Sequence, residues 1–165
     1  MTRLEKFSYI VKHWYLQDGI VYSRHTRKPV ATAVGHNNHL ELKVRSPASG
    51  STTTVYLHQA VFMLYHNRPV GDGLVIHHLD GDPLNNHPSN LVELTHTQHH
   101  RIHAYQCDDP LRGIDLHKGS WRFRWIDDSG HRHEKDFYEI NDAMKFREEV
   151  EAPRRAELRA LGLDC

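Results

Sequence analysis

The sequence predicts an α+β chain in three parts, on three observations. Short β-type runs broken by turn residues follow an opening helix over residues 1–56. A strand, loop, strand and helix succession lies within residues 57–107, and three more short strands precede one helix over residues 111–152.

Leu4, Phe7, Ile10, Val11 and Trp14 recur at three-four spacing, so the chain opens on a short amphipathic helix. Asp18-Gly19 then joins Tyr15-Leu16 to Ile20-Val21-Tyr22 as a hairpin, since both turn residues tolerate positive φ. Further strands are expected at 39–44 and 52–57, parted by the Pro/Ser/Gly-rich turn 46–51. Leu57, Ala60, Val61, Leu64 and Tyr65 form a helical stripe that ends before Arg68-Pro69, because proline disfavours helix in the preceding residue.

Leu74-Val75-Ile76 is an apolar run that reads as a strand, and Asp80-Gly81-Asp82-Pro83 is turn chemistry, so His77 and His78 fall where a strand gives way to a loop. The expected return strand is 91–94, followed by a helix capped by Thr95 or Thr97 and running to about Tyr105. That helix sets His96, His100 and His103, and also His99 and His103, on one side.

Beyond the linker Asp108-Asp109-Pro110, strands are expected at 113–117, 121–126 and 131–137, with Asn141 capping a helix that carries Met144, Phe146 and Val150. Strand alternation puts Trp121, Phe123 and Trp125 on one face and Arg122 and Arg124 on the other. An even-length loop would then bring His131, His133 and Lys135 beside the arginines. Pro153 is expected to start a separate tail helix within 153–165, with Gly162 as its stop.

The 165 residues allow one proper core plus a small module. No run approaches the roughly 18 apolar residues that span a bilayer, and the start lacks the basic-then-apolar form of a secretory leader. Cys107 and Cys165 are far apart and form no CxxC, so a disulfide framework and a cysteine-based zinc knuckle are both excluded, and a reducing cytoplasm is the expected compartment. Formal charge balances at 21 basic against 21 acidic residues, yet residues 1–71 hold nine Lys/Arg against three acids, while residues 72–110 hold one against six. The basic end suits a polyanion and the acidic segment suits a cation.

Those histidines fit metal-assisted cutting of a phosphodiester. A water must lose a proton as it attacks phosphorus, which a neutral imidazole does near pH 7, and a cation held by another imidazole can stabilise the phosphoryl and leaving oxygens. Adjacent strand residues point to opposite faces, so His77 and His78 divide these tasks. Asp80 and Asp82 read as turn formers rather than a carboxylate pair, and Asn85 and Asn86 as loop residues.

The spacing His77-His78, Asn90 twelve residues after His78, His99 nine later and His103 four further resembles the HNH nucleases of ββα-metal fold, especially phage homing endonucleases and colicin-type DNases. The surrounding HHLDGDPLNN and NLVELT blocks share the resemblance. It implies His78 as general base, His77 and His99 as metal ligands, Asn90 as the brace that orients the base, and His103 as a further ligand or phosphate contact. His96 and His100 read as surface residues, although His100 is one position from His99 and a helix irregularity could exchange the two. Mg²⁺ or Mn²⁺ is the implied ion, with Zn²⁺, Ni²⁺ or Co²⁺ also suited to imidazole.

The segment GIDLHKGSWRFRWI…DFYEINDAMKFREE is similar to the ethylene-response-factor (Apetala-type) DNA-binding domain, which implies DNA contacts by Arg122 and Arg124. The whole is expected to act as a free-standing, phage-encoded homing-type endonuclease working in a bacterial cell. It would nick one strand of double-stranded DNA as a monomer, a double-strand break requiring a second copy. The rival reading is a non-catalytic DNA-binding protein whose histidines hold a structural metal.

Overall fold

In the computed structural model, which describes residues 1–46, 49–107 and 109–164, helix α1 (Arg3–His13) starts on a capping box. The Glu5 amide donates to Thr2 Oγ1 at 3.2 Å, and the Thr2 amide donates to the Glu5 carboxylate at 2.6 Å. Strands β1 (Trp14–Gln17) and β2 (Ile20–Ser23) pair antiparallel across Asp18 and Gly19, whose φ values of 50° and 77° are the two left-handed residues that a tight hairpin turn requires.

Strands β3 (Ala33–Val34), β4 (Leu40–Arg45) and β5 (Thr52–Tyr56) form an antiparallel sheet with β4 in the middle. Leu42 and Val44 point inward and Lys43 and Arg45 outward, the alternation of a sheet with one wet face. Ser46 and Ser51 close the connection between β4 and β5 through a 2.8 Å backbone bond; Pro47 and Ala48 of the expected turn lie outside the described residues.

Helix α2 (Leu57–His66) follows β5 without a loop and stops at Asn67, which is left-handed at φ 50°. Its first two turns are buried on several sides, His58, Ala60, Val61, Phe62 and Met63 all being shielded. Tyr65, expected on the inner stripe, is instead 61% exposed, because the last turn emerges from the core that covers the first two. Ile10, Trp14, Val21, Leu42, Val44, Val55, Ile76 and Leu91 complete that core. Strands β6 (Leu74–His78) and β7 (Leu91–Thr95) pair antiparallel, with β6 two residues longer than the apolar run alone suggested, so both histidines lie within the ladder. Helix α3 (His96–Tyr105) follows at once.

The chain divides into two units, Met1–His96 and Thr97–Cys165. In the second, β8 (Ile114–His117), β9 (Ser120–Ile126) and β10 (Arg132–Phe137) form an antiparallel sheet with β9 central, facing helix α4 (Ile140–Ala160). Trp121, Phe123 and Trp125 pack toward α4 as alternation predicted, with Phe146 5.6 Å from Trp125 and 6.4 Å from Phe123 between ring centres.

Three expectations in this unit are corrected. Asn141 is not the cap: the helix starts two residues earlier, at Ile140 after Glu139, whose side chain makes no capping bond. Pro153 does not start a new helix but lies inside α4, although it removes one backbone donor. Anchors on both sides hold the helix through it: Leu158 is buried, and the buried Glu151 carboxylate pairs with Arg112 at 2.7 Å and with Arg155, one turn beyond the proline, at 3.1 Å.

The third correction is the β9–β10 register. Arg122 faces Asp136, Arg124 faces Glu134, and His133 and Lys135 lie opposite Trp125 and Phe123. Pairing begins at Ile126 with Arg132, leaving five residues in the loop, and an odd loop reverses the parity that an even one would give. Cys107 is a free, exposed thiol; Asp108 of the linker and Cys165 lie outside the described residues. Among the described residues no helix is long and apolar enough to cross a membrane.

Candidate active site

The β6 ladder opposes His77 to Val92 and His78 to Leu91, and the strand then turns into the loop that returns through a 3₁₀ turn, Pro88–Asn90. Asn90 braces this loop from within. Its Oδ1 accepts from the Asp80 amide at 3.1 Å, and its Nδ2 donates to Asp80 Oδ1 at 2.9 Å and to the Asn85 carbonyl at 2.8 Å. The Leu79 amide donates to the Asn90 carbonyl at 2.9 Å, so both strand ends are tied at the base of the loop.

Asp80 is the hub of the turn, as its sequence context implied. Its carboxylate also accepts from Asn85 Nδ2 at 2.6 Å and from the Asp82 amide at 2.9 Å. Bonds from Asn90, Asn85 and the Asp82 amide hold the Asp80 carboxyl below the usual carboxylate range. Asp82 accepts from the Leu84 amide at 2.9 Å, again turn chemistry.

His78 is 4% exposed, and its Nε2 lies 3.2 Å from Asn86 Oδ1. The Asn86 amide group donates to the carbonyls of Leu84 at 3.0 Å and Pro83 at 3.4 Å, which turns its oxygen to the ring. Nε2 therefore carries the proton, and Nδ1 is the one lone pair the neutral ring offers. Asn86, read from sequence as a loop residue, is the side chain that fixes the tautomer of His78. An asparagine is a common turn former, and the signal that separates it from Asn85, burial at 7% exposure, is not visible in sequence.

Two further histidines surround His78, and sequence reading missed both. His58, on the buried first turn of α2, stands edge-on to His78 at 5.1 Å between ring centres, and His39, just ahead of β4, stacks on it at 5.6 Å. One ring nitrogen from each of His39, His58 and His78 lies within 4.8 Å of the others. Burial, and then His78 and His39, lower the His58 pKa to about 3, while burial and then His78 lower that of His39, so both rings stay neutral at pH 7. His58 had a sequence signal, a lone imidazole inside an otherwise apolar helical turn, whereas His39 had none.

The remaining predicted residues lie on α3. His99 is half-buried with its ring 5.0 Å from that of His103 one turn on; His96, His100 and His103 are exposed. The structure thus brings His77, His78 and Asn90 to one strand end and loop, and His99 and His103 to one helix face. Imidazole donors suit ions such as Zn²⁺, Ni²⁺ and Co²⁺, whereas Mg²⁺ or Mn²⁺ would complete its shell with water and phosphate oxygens.

In the second unit Arg122 is bidentate to Asp136, at 2.7 and 2.9 Å, and lies 3.2 Å from Glu134; Arg124 pairs with Asp115. The sheet face expected to be basic therefore alternates arginines with carboxylates.

Residues 55–101 match the family model described as HNH endonuclease. The matched segment is thus similar to an HNH endonuclease domain. It contains His58, His77, His78, Asn86, Asn90 and His99. Over 91 residues the chain is 28% identical to the "SPbeta prophage-derived putative HNH homing endonuclease YosQ" of Bacillus subtilis (strain 168), covering 55% of this chain and 51% of that relative. The chain therefore spans about half the length of the curated relative it matches. A solved structure described as "DNA binding and cleavage by the HNH homing endonuclease I-HmuI" aligns with 81% of this chain and 76% of its own, at 21% identity and a TM-score of 0.42.

Proposed function

We propose that the chain is a metal-dependent HNH endonuclease that hydrolyses a phosphodiester of double-stranded DNA, nicking one strand as a monomer. The observation that carries this is the His78 ring, held by Asn86 through Nε2 at 3.2 Å within the HNH segment, with Nδ1 left to accept a proton. In this reading Nδ1 removes a proton from the attacking water, and Asn90 keeps the loop after β6 in the shape that presents the ring. His77 and His99 hold the divalent ion, Mg²⁺ or Mn²⁺ in use, and His103 contacts the phosphate. When bound, the ion supplies positive charge that stabilises the phosphoryl and leaving oxygens. Arg122 and Arg124 contact DNA by exchanging their present carboxylate partners for phosphates.

Supercoiled plasmid is the test. The wild-type chain with Mg²⁺ or Mn²⁺ should yield nicked circles, EDTA should stop the reaction, and His78→Ala should lower the rate by about 10²-fold or more while circular dichroism stays unchanged. Asn90→Ala should also slow it, because the loop loses its brace. Nicking that persists undiminished in His78→Ala overturns the assignment of the base.

A further inference from the structure

We propose that His39, His58 and His78 form a second metal site, selective for a borderline transition ion such as Zn²⁺, whose occupation switches the nuclease off. The trio shares no residue with the proposed ligands His77 and His99, and it offers three imidazoles where that pair offers two. It lies wholly within the first unit, and one nitrogen from each ring falls within 4.8 Å of the other two.

A second observation points to a ligand. Nδ1 of His58 and Nδ1 of His39 are shielded from solvent and have no hydrogen-bond partner among the described residues, and His58 as a residue is 5% exposed. Shielded polar atoms left unpaired are costly, and folds retain them where something else satisfies them. Among the described residues the cluster consists of imidazoles alone, and burial lowers the pKa of His58 and His39, which makes it a donor set suited to Zn²⁺, Co²⁺, Ni²⁺ or Cu²⁺.

Three nitrogens no more than 4.8 Å apart lie no more than about 2.8 Å from a common centre, at most roughly 0.7 Å beyond a zinc–nitrogen bond. His39 is the ring free to close that gap. It is half-buried and follows the short 3₁₀ turn His36–Asn38, whereas His58 is fixed on α2 and His78 on β6. Three protein ligands leave a fourth position for water, an ordinary arrangement for zinc.

The consequence for activity rests on the nuclease reading above. A neutral imidazole has one lone pair; an ion on the trio takes that of His78, and the ring can then accept no proton from water. The trio would thus make the enzyme active with Mg²⁺ or Mn²⁺ and silent once micromolar Zn²⁺ is present.

The test uses the full chain stripped with EDTA, with Co²⁺ as spectroscopic probe and Zn²⁺ as competitor. The His77→Ala/His99→Ala double variant should bind one Co²⁺ with the visible absorption of a four- or five-coordinate nitrogen site, displaced by Zn²⁺, and the wild type should show that same absorption beside any Co²⁺ held at His77 and His99. His39→Ala should weaken that binding by about 100-fold or more, as should His58→Gln. Should His58→Gln fail to fold, His39→Ala carries the comparison, because its ring is the partly exposed one. Absorption that vanishes in the double variant and survives in His39→Ala overturns the proposal. In nicking assays, the ratio of rates with and without Zn²⁺ within each protein should fall at least tenfold for wild type and stay near one for His39→Ala; equal inhibition of both overturns the switch. If no DNA is cut under any ion, the nuclease reading fails alone, and the Co²⁺ comparison still decides the metal site.

Discussion

His78 Nε2 meets Asn86 Oδ1 at 3.2 Å, and because the Asn86 amide donates to the Leu84 and Pro83 carbonyls, the ring is locked as the Nε2–H tautomer. Asn86→Ala should leave the ring free to reorient and exchange tautomers, lowering single-turnover nicking by about 10²-fold with little change in DNA binding. Asn86→Asp keeps an acceptor for Nε2–H and should retain activity within about tenfold of wild type. Equal rates for all three proteins would show that Asn86 does not set the base.

The HNH spacing was legible because it is local: β6, loop, β7 and α3 follow one another within residues 74–105, and each histidine's place follows from the element it occupies. The trio was not legible. His39 precedes β4, His58 is on α2 and His78 on β6, segments far apart in the chain that the β4–β5 pairing and the seating of α2 help to bring together, and no residue spacing encodes that meeting. The β9–β10 register failed for a different reason. Whether Glu134 or His133 faces Arg124 depends on the parity of one loop, and Asp127 Oδ1, by accepting from the Ser129 and His131 amides at 2.9 Å each, fixes that loop at five residues.

Burial of His58 makes stability pH-dependent in a definite direction. Its folded pKa of about 3 lies below the ordinary 6.5, so the unfolded chain binds the proton more readily. This contribution is fully present above pH 6.5 and is lost progressively as pH falls toward 3, by at most about 1.4 kcal/mol per pH unit. Urea unfolding in EDTA at stepped pH should show that slope in the wild type and a shallower one in His58→Gln, with the lowered His39 contributing the remainder.

Glu151 is a buried charge in the second unit. It is 4% exposed and holds Arg112 through two bonds, at 2.8 and 2.7 Å, and Arg155 at 3.1 Å. Glu151→Ala leaves two arginines facing a shielded gap beside Pro153, and should cost about 3 kcal/mol. The measurement is equilibrium unfolding. A double-mutant cycle with Arg112→Ala should recover part of the loss, because it removes one of the stranded charges.

The outer face of β8, β9 and β10 carries Arg122, Arg124 and Arg132 among Asp115, Glu134 and Asp136, so its charge balances and duplex binding through it must displace carboxylates. That competition makes the acids as informative as the arginines. Replacing Arg122 and Arg124 with alanine should weaken duplex binding and reduce the slope of log affinity against log salt by about 2, one contact each. Asp115→Asn with Glu134→Gln and Asp136→Asn should act oppositely, freeing both guanidinium groups and steepening the slope. Fluorescence anisotropy of a labelled duplex between about 50 and 200 mM salt reads both changes. If the arginine and acid variants leave the slope where the wild type has it, the sheet does not meet DNA and its charges serve the fold alone.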